Sequence, residues 1–189
     1  DPACPRILAG ISCFFKLSAV TAAQRPDLVE ALALVCPGIY AQQQPGPFAQ
    51  WMLRWGAMPG IALHRVPIPL QDAALFTSAP QHQKFVRHDP LALRRVTLRF
   101  AAADVELTRR ARAVAAELRM PTLLALAGRD RIVRNDHMQS FFRALAAADR
   151  TLLEYPSAGH TLEFEQDPSG YFDDLTAWVR RTIDAAKSS

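Results

Sequence analysis

Several patterns that would assign a function directly are missing from this sequence of 189 residues. No apolar run reaches the ~18 residues of a membrane span, and no secretory signal opens the chain. The Gly-x-Gly-x-x-Gly fingerprint, the phosphate-binding loop and the His-Glu-x-x-His zinc motif are missing as well. We therefore expect no cofactor and no bound metal.

Cysteine is scarce, and the three that are present, Cys4, Cys13 and Cys36, have neither metal-ligand nor redox spacing. They lie in or beside apolar runs, so we expect buried free thiols, which suit a reducing compartment and a cytoplasmic protein. Asp1 is not an initiator residue, which leads us to expect that the natural N-terminus has been lost or processed.

Charge of one sign is not concentrated in any part of the chain. The net charge is +4 with a pI near 9.3, and the arginines are scattered in pairs. Because no basic run with interleaved aromatic residues occurs, we expect no nucleic-acid partner. Half of the residues are hydrophobic and 21% are charged, which together with the length predicts one globular domain with a substantial core.

Both ends of the chain alternate strand-like and helix-like segments. Residues 6–9 form a short apolar run, residues 12–24 favour a helix, and residues 31–36 form a continuous apolar run closed by Pro37. After Pro121 the same rhythm returns. The predicted elements there are strands 122–127 and 151–155, a helix from 135 to about 147 capped by Asn135 or Asp136, and a final helix started by Asp167 and Pro168. This order predicts an α/β fold, with a parallel-rich sheet covered by helices on both faces.

The middle of the chain, residues 41–119, has a different character. Seven prolines interrupt it, no strong strand pattern appears, and the apolar spacing predicts a helix over 104–118. We therefore predict a single domain made of an α/β core, residues 1–40 and 120–189, with a helical insertion over 41–119.

An acid and a histidine follow the last two predicted strands. Asp130 comes just after strand 122–127, and His160 lies in a loop of small residues after strand 151–155. Since the carboxyl ends of parallel strands share one rim of a sheet, the two can meet there, in the order of an α/β-hydrolase triad. The alternatives are a turn aspartate and an ordinary loop histidine. Asp136 is a rival acid, but it fits better as a helix cap.

The other four histidines lack such a setting. His64, His82 and His88 fall in the irregular insertion, so we interpret them as surface or hinge residues. His137 belongs to the start of a helix.

Ser12 is the candidate nucleophile, in the segment Gly10-Ile11-Ser12-Cys13-Phe14 between a predicted strand and a predicted helix. Either an N-cap serine or a nucleophile elbow fits this position. A serine hydroxyl needs a base within hydrogen-bond reach, and the base needs an acceptor that orients it. In an elbow the backbone N–H of Cys13 is also one donor of an oxyanion hole.

These segments resemble the bacterial α/β hydrolases of the monoacylglycerol lipase and lysophospholipase type, and the likeness runs through nearly the whole chain. It is strongest over residues 8–16, 25–29 with 31–38, 126–133 and 155–165. The resemblance implies an α/β-hydrolase fold in which the insertion 41–119 is a helical cap, or lid, over an acyl pocket. It also implies that Ser12 is the nucleophile, Asp130 the acid and His160 the base.

The chain departs from that family at the elbow. The family pattern Gly-x-Ser-x-Gly is commonly followed by a second glycine, and here Phe14 and Phe15 take those two positions. Because the turn is tight, we expect overpacking unless the backbone shifts, and a shift of about 1 Å could lower the rate roughly 100-fold.

A second departure is that the chain starts at the nucleophile strand. The family has further strands and helices before it, including the loop that supplies the second oxyanion N–H. We therefore expect a fragment, or a sheet edge that another chain, such as a second copy in a dimer, completes or covers.

The leading interpretation is a serine hydrolase that cleaves a carboxylic ester through an acyl-serine, with a monoacylglycerol or a lysophospholipid as the type of substrate. Apolar cap side chains are the candidate substrate contacts, although packing within the cap is their alternative role; they are Phe48, Trp51, Met52 and Trp55, with Met58 and Phe76 as further candidates. The cap could also touch a membrane surface transiently. Two other functions stay open: a catalytically impaired relative that binds an apolar ligand or partner, and an acyltransferase that uses the same triad.

Overall fold

The computed structural model describes residues 5–42, 46, 51, 53, 55, 56 and 58–187. In chain order the strands are β1 (Ile7–Ile11), β2 (Ala31–Val35), β3 (Arg65–Pro67), β4 (Arg95–Thr97), β5 (Thr122–Ala127) and β6 (Arg150–Tyr155). The α-helices with defined bounds are α1 (Phe15–Gln24), α2 (Pro80–His88), α3 (Leu98–Ala113), α4 (Asn135–Arg143) and α5 (Ser169–Lys187).

The central sheet is parallel throughout, with its strands in the order β1-β2-β5-β6. Strands β2 and β5 are buried along their whole length, which is why they are continuous apolar runs rather than alternating ones. Strand β6 lies at an edge of the described sheet and alternates exposed and half-buried residues. Side chains at the carboxyl ends of β1, β5 and β6 therefore share one rim.

Helices cover both faces of the sheet. On one face Leu34 and Leu124 belong to the same buried cluster as Phe15 of α1, Ala111 of α3 and Phe141 of α4. On the other face, the alternate strand positions pack against Tyr171 and Trp178 of α5. The fold is therefore the α/β-hydrolase type that the sequence predicts, with a three-layer core.

The segment between β2 and β5 differs from the prediction in its secondary structure. Strands β3 and β4 form a two-stranded antiparallel ribbon where no strand was expected, because each is only three residues long and carries no periodic signal. The predicted helix over 104–118 is displaced: α3 begins at Leu98, where the Thr97 hydroxyl accepts from the N–H of Phe100, and ends at Ala113. The role of this segment as a cap stays a prediction.

The start of α4 also differs from the prediction. Neither Asn135 nor Asp136 caps the helix; the residue before it is Arg134, which makes no side-chain cap bond. The amide of Asn135 instead donates to the carbonyl of Ala127 at the end of β5, 2.8 Å away. The helix ends at Arg143, earlier than expected.

The final helix begins close to its predicted start, since the carboxylate of Asp167 accepts from the N–H of Ser169. It lies along the sheet through one apolar stripe that includes Tyr171 and Trp178. Across the described part of the chain, no helix combines the length and the apolar character needed to cross a bilayer.

Candidate active site

Ser12 occupies a strained turn between β1 and α1. Its φ of 51° lies in the left-handed region, which a non-glycine residue adopts at an energetic cost and which is frequent at functional sites. The turn depends on Gly10, where a Cβ atom would lie 2.7 Å from the Ser18 Oγ and 2.8 Å from the Cα of Phe15. The N–H of Gly38 donates to the carbonyl of Ser12 at 2.9 Å and so ties the loop after β2 to this turn. This strand–turn–helix is the geometry of a nucleophile elbow.

The two phenylalanines do not overpack the elbow as expected. Phe14 is 67% exposed, so most of its surface faces solvent. Phe15 is fully buried and packs edge to face on Phe141, with ring centroids 5.4 Å apart. Of the two residues at the usual glycine positions, Phe15 packs in the core and Phe14 faces solvent. The turn therefore forms without glycine at either position.

Asp130 lies in the loop after β5 and uses both carboxylate oxygens. Its Oδ1 accepts from the N–H groups of Ile132 and Val133 at 2.8 and 2.9 Å, while its Oδ2 lies 2.7 Å from the Nδ1 of His160. The turn-aspartate role and the role as partner of a histidine are thus both present in one side chain. The amide of Gln42, in the segment after β2, donates to the Asp130 carbonyl at 2.6 Å and so ties that segment to the loop after β5.

His160 joins this carboxylate to the serine. Its Nδ1 faces Asp130, and its Nε2 lies 2.8 Å from the Oγ of Ser12. Because an ionised carboxylate only accepts, Nδ1 carries the proton and Nε2 is left to accept from the hydroxyl. The side chains of His160 and Asp130 are 2% and 1% exposed, which keeps competing water away from their hydrogen bond. The structure thus brings the three candidate residues into one hydrogen-bonded row.

The rival acid and the remaining histidines lie elsewhere. Asp136 is an exposed partner of Arg134, whose hydrogen bond lowers the pKa of that carboxyl. His137 is in the first turn of α4, with its ring 5.0 Å from that of Tyr40. His82 is not the surface or hinge residue we expected, since its Nδ1 lies 2.6 Å from the carbonyl of Phe164 in the His160 loop.

Of the cysteines predicted to be buried, Cys13 is exposed and Cys36 is buried, and both are free thiols. Cys4 lies outside the described residues. Cys13 is exposed because it directly follows the outward-facing nucleophile turn. Its N–H belongs to the first turn of a helix, where N–H groups have no partner within the helix, and is therefore available to an oxyanion.

Cys36 follows β2 and lies beside the acid and the histidine. Burial, and next the nearby carboxylate of Asp130, raise the pKa of its thiol far above the usual range. Ligand atoms of Cys36, Asp130 and His160 lie within 4.8 Å of one another, a set that could hold a soft divalent ion. Because the last two residues already bond each other and Ser12, we interpret the group as a catalytic arrangement rather than a metal centre.

The candidate substrate contacts are only partly described. Phe48 and Met52 lie outside the described residues, and Trp51 and Trp55 are 57% and 49% exposed. The ring of Phe76 lies 6.2 Å from that of His160, nearly perpendicular to it. Phe76 is thus one apolar side chain of the insertion that lies next to the site.

Sequence reasoning missed one link between the elbow helix and the insertion. The Nζ of Lys16 lies 2.7 Å from both carboxylate oxygens of Asp104 in α3, and the Lys16 side chain is only 7% exposed. A lysine inside an otherwise apolar stretch was the available signal, since a buried lysine requires a partner.

A parallel sheet between two helical layers, with a strained serine turn at its carboxyl rim, defines an α/β hydrolase. The chain belongs to the family described as "Serine aminopeptidase, S33", which it matches over residues 1–167. No curated protein sequence matches it significantly.

Solved structures share the fold at low sequence identity. A monoacylglycerol lipase from Paleococcus ferrophilus is 20% identical with a TM-score of 0.83, over 95% of this chain and 68% of that one. A soluble variant of a Saccharomyces cerevisiae monoglyceride lipase, in complex with a substrate analogue, is 18% identical with a TM-score of 0.78, over 94% and 62%. An esterase from Thermogutta terrifontis is 18% identical with a TM-score of 0.67, over 95% and 66%. The chain thus spans roughly two thirds of the length of these structures.

Proposed function

We propose that this chain is a serine hydrolase that cleaves a carboxylic ester with an apolar acyl group through an acyl-serine intermediate. The observation that carries the proposal is the row from Ser12 through His160 to Asp130, joined by hydrogen bonds of 2.8 and 2.7 Å. A strained serine turn, an accepting imidazole and a carboxylate that orients it are what serine nucleophilic catalysis requires.

Each residue of the row has a defined role in the proposed reaction. The Ser12 Oγ attacks the ester carbonyl while His160 takes its proton, and the N–H of Cys13 stabilises the negative charge that develops on the carbonyl oxygen. His160 then protonates the leaving alcohol. A water molecule, deprotonated by the same histidine, attacks the acyl-serine; the bond between the acyl carbon and the Ser12 Oγ then breaks, His160 returns the proton to that Oγ, and the acid is released. Asp130 orients the imidazole and stabilises its charged form throughout.

An apolar acyl group is favoured by the surroundings of the serine. The aromatic ring of Phe76 lies beside His160, and the two residues that follow Ser12, Cys13 and Phe14, expose an uncharged thiol and an aromatic ring. A monoacylglycerol or a lysophospholipid has the required single acyl chain. An aminopeptidase, which the family description names, would additionally need an acid for the substrate's ammonium group. Asp130 is already committed to His160 and Asp104 to Lys16, whereas one buried carboxylate oxygen of Glu163 has no hydrogen-bond partner, so the comparison of esters with aminoacyl anilides tests this alternative.

A fluorophosphonate probe tests the nucleophile. The folded protein should gain a single adduct by intact mass, Ser12→Ala should gain none, and Ser140→Ala, an exposed serine on α4, should label like the parent protein. Glycerol monoesters of increasing chain length should then be hydrolysed faster than aminoacyl anilides. Added glycerol tests whether the acyl group passes to an alcohol instead of water. A folded protein that gains no adduct would exclude the proposal in favour of a non-catalytic relative.

A further inference from the structure

The loop that carries His160 is fastened to the insertion at more than one point. The N–H of Thr161 donates to the carbonyl of Phe76 at 2.8 Å. Four residues after the histidine, the carbonyl of Phe164 lies 2.7 Å from the Oγ1 of Thr77 and 2.6 Å from the Nδ1 of His82. Residues 76–82 thus hold the loop at Thr161 and at Phe164, one and four residues after His160.

Both groups on the Phe164 carbonyl are donors, because a carbonyl oxygen only accepts and has two lone pairs. The Thr77 hydroxyl donates to this carbonyl and accepts from the N–H of Ala79 at 3.0 Å. It therefore acts both as a donor and as an acceptor, and Thr77 is only 1% exposed. The His82 ring also packs on the Phe164 ring, with centroids 4.9 Å apart. Its Nδ1 must carry the proton in this contact.

Close packing accompanies these bonds next to the histidine. A Cβ atom at Gly159 would lie 3.2 Å from the carbonyl oxygen of Phe76 and 3.4 Å from the Cα of Thr77. The N–H of Gly159 donates to the Glu165 carboxylate at 2.9 Å, which closes the loop on itself. The loop therefore packs directly on the insertion, where even a Cβ atom at Gly159 would make a tight contact.

We propose that Thr77 and His82 are positioning residues that hold the His160 loop, so that Nε2 stays within hydrogen-bond reach of the Ser12 Oγ. Asp130 fixes one nitrogen of the imidazole, but the reach of the other toward Ser12 depends on where the loop backbone lies. A displacement of about 1 Å in a catalytic group lowers rates by roughly 100-fold. The two donors on residues 77 and 82 therefore affect turnover, because they limit how far the loop can move. The catalytic meaning of this inference rests on the proposed ester hydrolysis.

Two variants remove one donor each and keep the shape of the side chain: Thr77→Val and His82→Phe. For each we expect kcat to fall by roughly 10-fold while KM changes by less than about 2-fold, since neither residue is a proposed substrate contact. Thr77→Ser, which restores the hydroxyl, should recover most of the parent kcat. His88→Phe is the matched control, because this exposed histidine of α2 bonds only within its own helix, to the Lys84 carbonyl at 2.8 Å.

A second readout follows His160 without any substrate. The proton shared by His160 Nδ1 and Asp130 should give a low-field NMR resonance in the parent protein that broadens in Thr77→Val and His82→Phe, and stays sharp in Thr77→Ser and His88→Phe. If Thr77→Val does not fold, His82→Phe decides alone.

Parent-like kcat and a sharp resonance in the two donor-deleted variants would overturn the inference, as would an equal loss of kcat in His88→Phe. If the parent protein hydrolyses no ester and takes no fluorophosphonate, the proposed function fails. The NMR comparison then still decides whether the two residues position His160.

Discussion

Phe15, in the helix α1 that starts directly after the nucleophile turn, packs edge to face on Phe141 of α4, with ring centroids 5.4 Å apart. The second position of the elbow's usual glycine pair is therefore a core position in this protein, completely buried between α1 and α4. The first position, Phe14, belongs to the surface. Replacing each phenylalanine by glycine should accordingly lower stability to very different extents.

Phe15→Gly should destabilise the fold by about 4 kcal/mol, because it deletes a buried aromatic ring and leaves a cavity. Phe14→Gly should lower stability by only about 1 kcal/mol, from the added backbone freedom of glycine. Urea unfolding followed by far-UV circular dichroism measures both. A Phe15→Gly variant as stable as the parent would show that the ring does not fill the core as described.

Asp130→Asn should lower kcat by about 10³- to 10⁴-fold with little change in stability. The asparagine oxygen can still accept from the N–H groups of Ile132 and Val133. Its NH₂ group then donates to Nδ1 of His160, so the imidazole proton lies on Nε2. A protonated Nε2 cannot accept a hydrogen bond from the Ser12 hydroxyl. Ester turnover and the rate of fluorophosphonate labelling measure the effect, with Asp136→Asn as the control. Equal loss in both variants would contradict the assignment of the acid.

Asp104→Asn should destabilise the protein by about 2 kcal/mol, since it leaves the ammonium group of Lys16 buried without its partner. Lys16→Met should be milder, and the double variant should resemble Lys16→Met alone, because the stranded charge is then gone. Thermal and urea unfolding of the parent protein, the two single variants and the double variant measure these changes in stability. Glu106→Gln, on the same helix but in an exposed pair with Arg109, is the control and should stay close to the parent. Additive effects of the two single changes would show that the pair is not coupled.

Stability should fall as the pH rises above about 9. Burial raises the pKa of Cys36 above its ordinary value of 9.0 and that of Tyr171 to about 12, and it raises the pKa of Tyr155 as well. In this range the unfolded chain loses protons that the folded chain keeps, so the free energy of unfolding decreases with pH. Well below pH 9 both states keep these protons and the effect vanishes.

Cys36→Ala isolates the contribution of the thiol to this pH dependence. Its free energy of unfolding should decline less steeply than that of the parent between pH 9 and 10, while Cys13→Ser, at an exposed position, should follow the parent curve. Urea titrations at several pH values provide the comparison. Parallel curves for Cys36→Ala and the parent protein would mean that this thiol ionises equally in both states.

The predictable part of the structure is the part with long, regular apolar patterns. Strand β5 matches its predicted bounds because a buried parallel strand is a continuous apolar run between turn residues, and β6 begins one residue before its prediction. The secondary structure of the insertion was harder to predict, because β3 and β4 have three residues each and the start of α3 depends on a cap bond from Thr97. The roles of Thr77 and His82 had no local signal, because both act on a carbonyl more than 80 residues away.

The sequence by itself determined the layered α/β architecture and the presence of a serine, an acid and a histidine after the ends of parallel strands, because apolar periodicity and turn chemistry are local properties. Only the tertiary structure decided that Ser12 and His160, 148 residues apart, lie 2.8 Å from each other, and that Phe14 turns to solvent while Phe15 turns to the core. Such distances and directions result from packing between distant segments, which no local pattern of residues specifies.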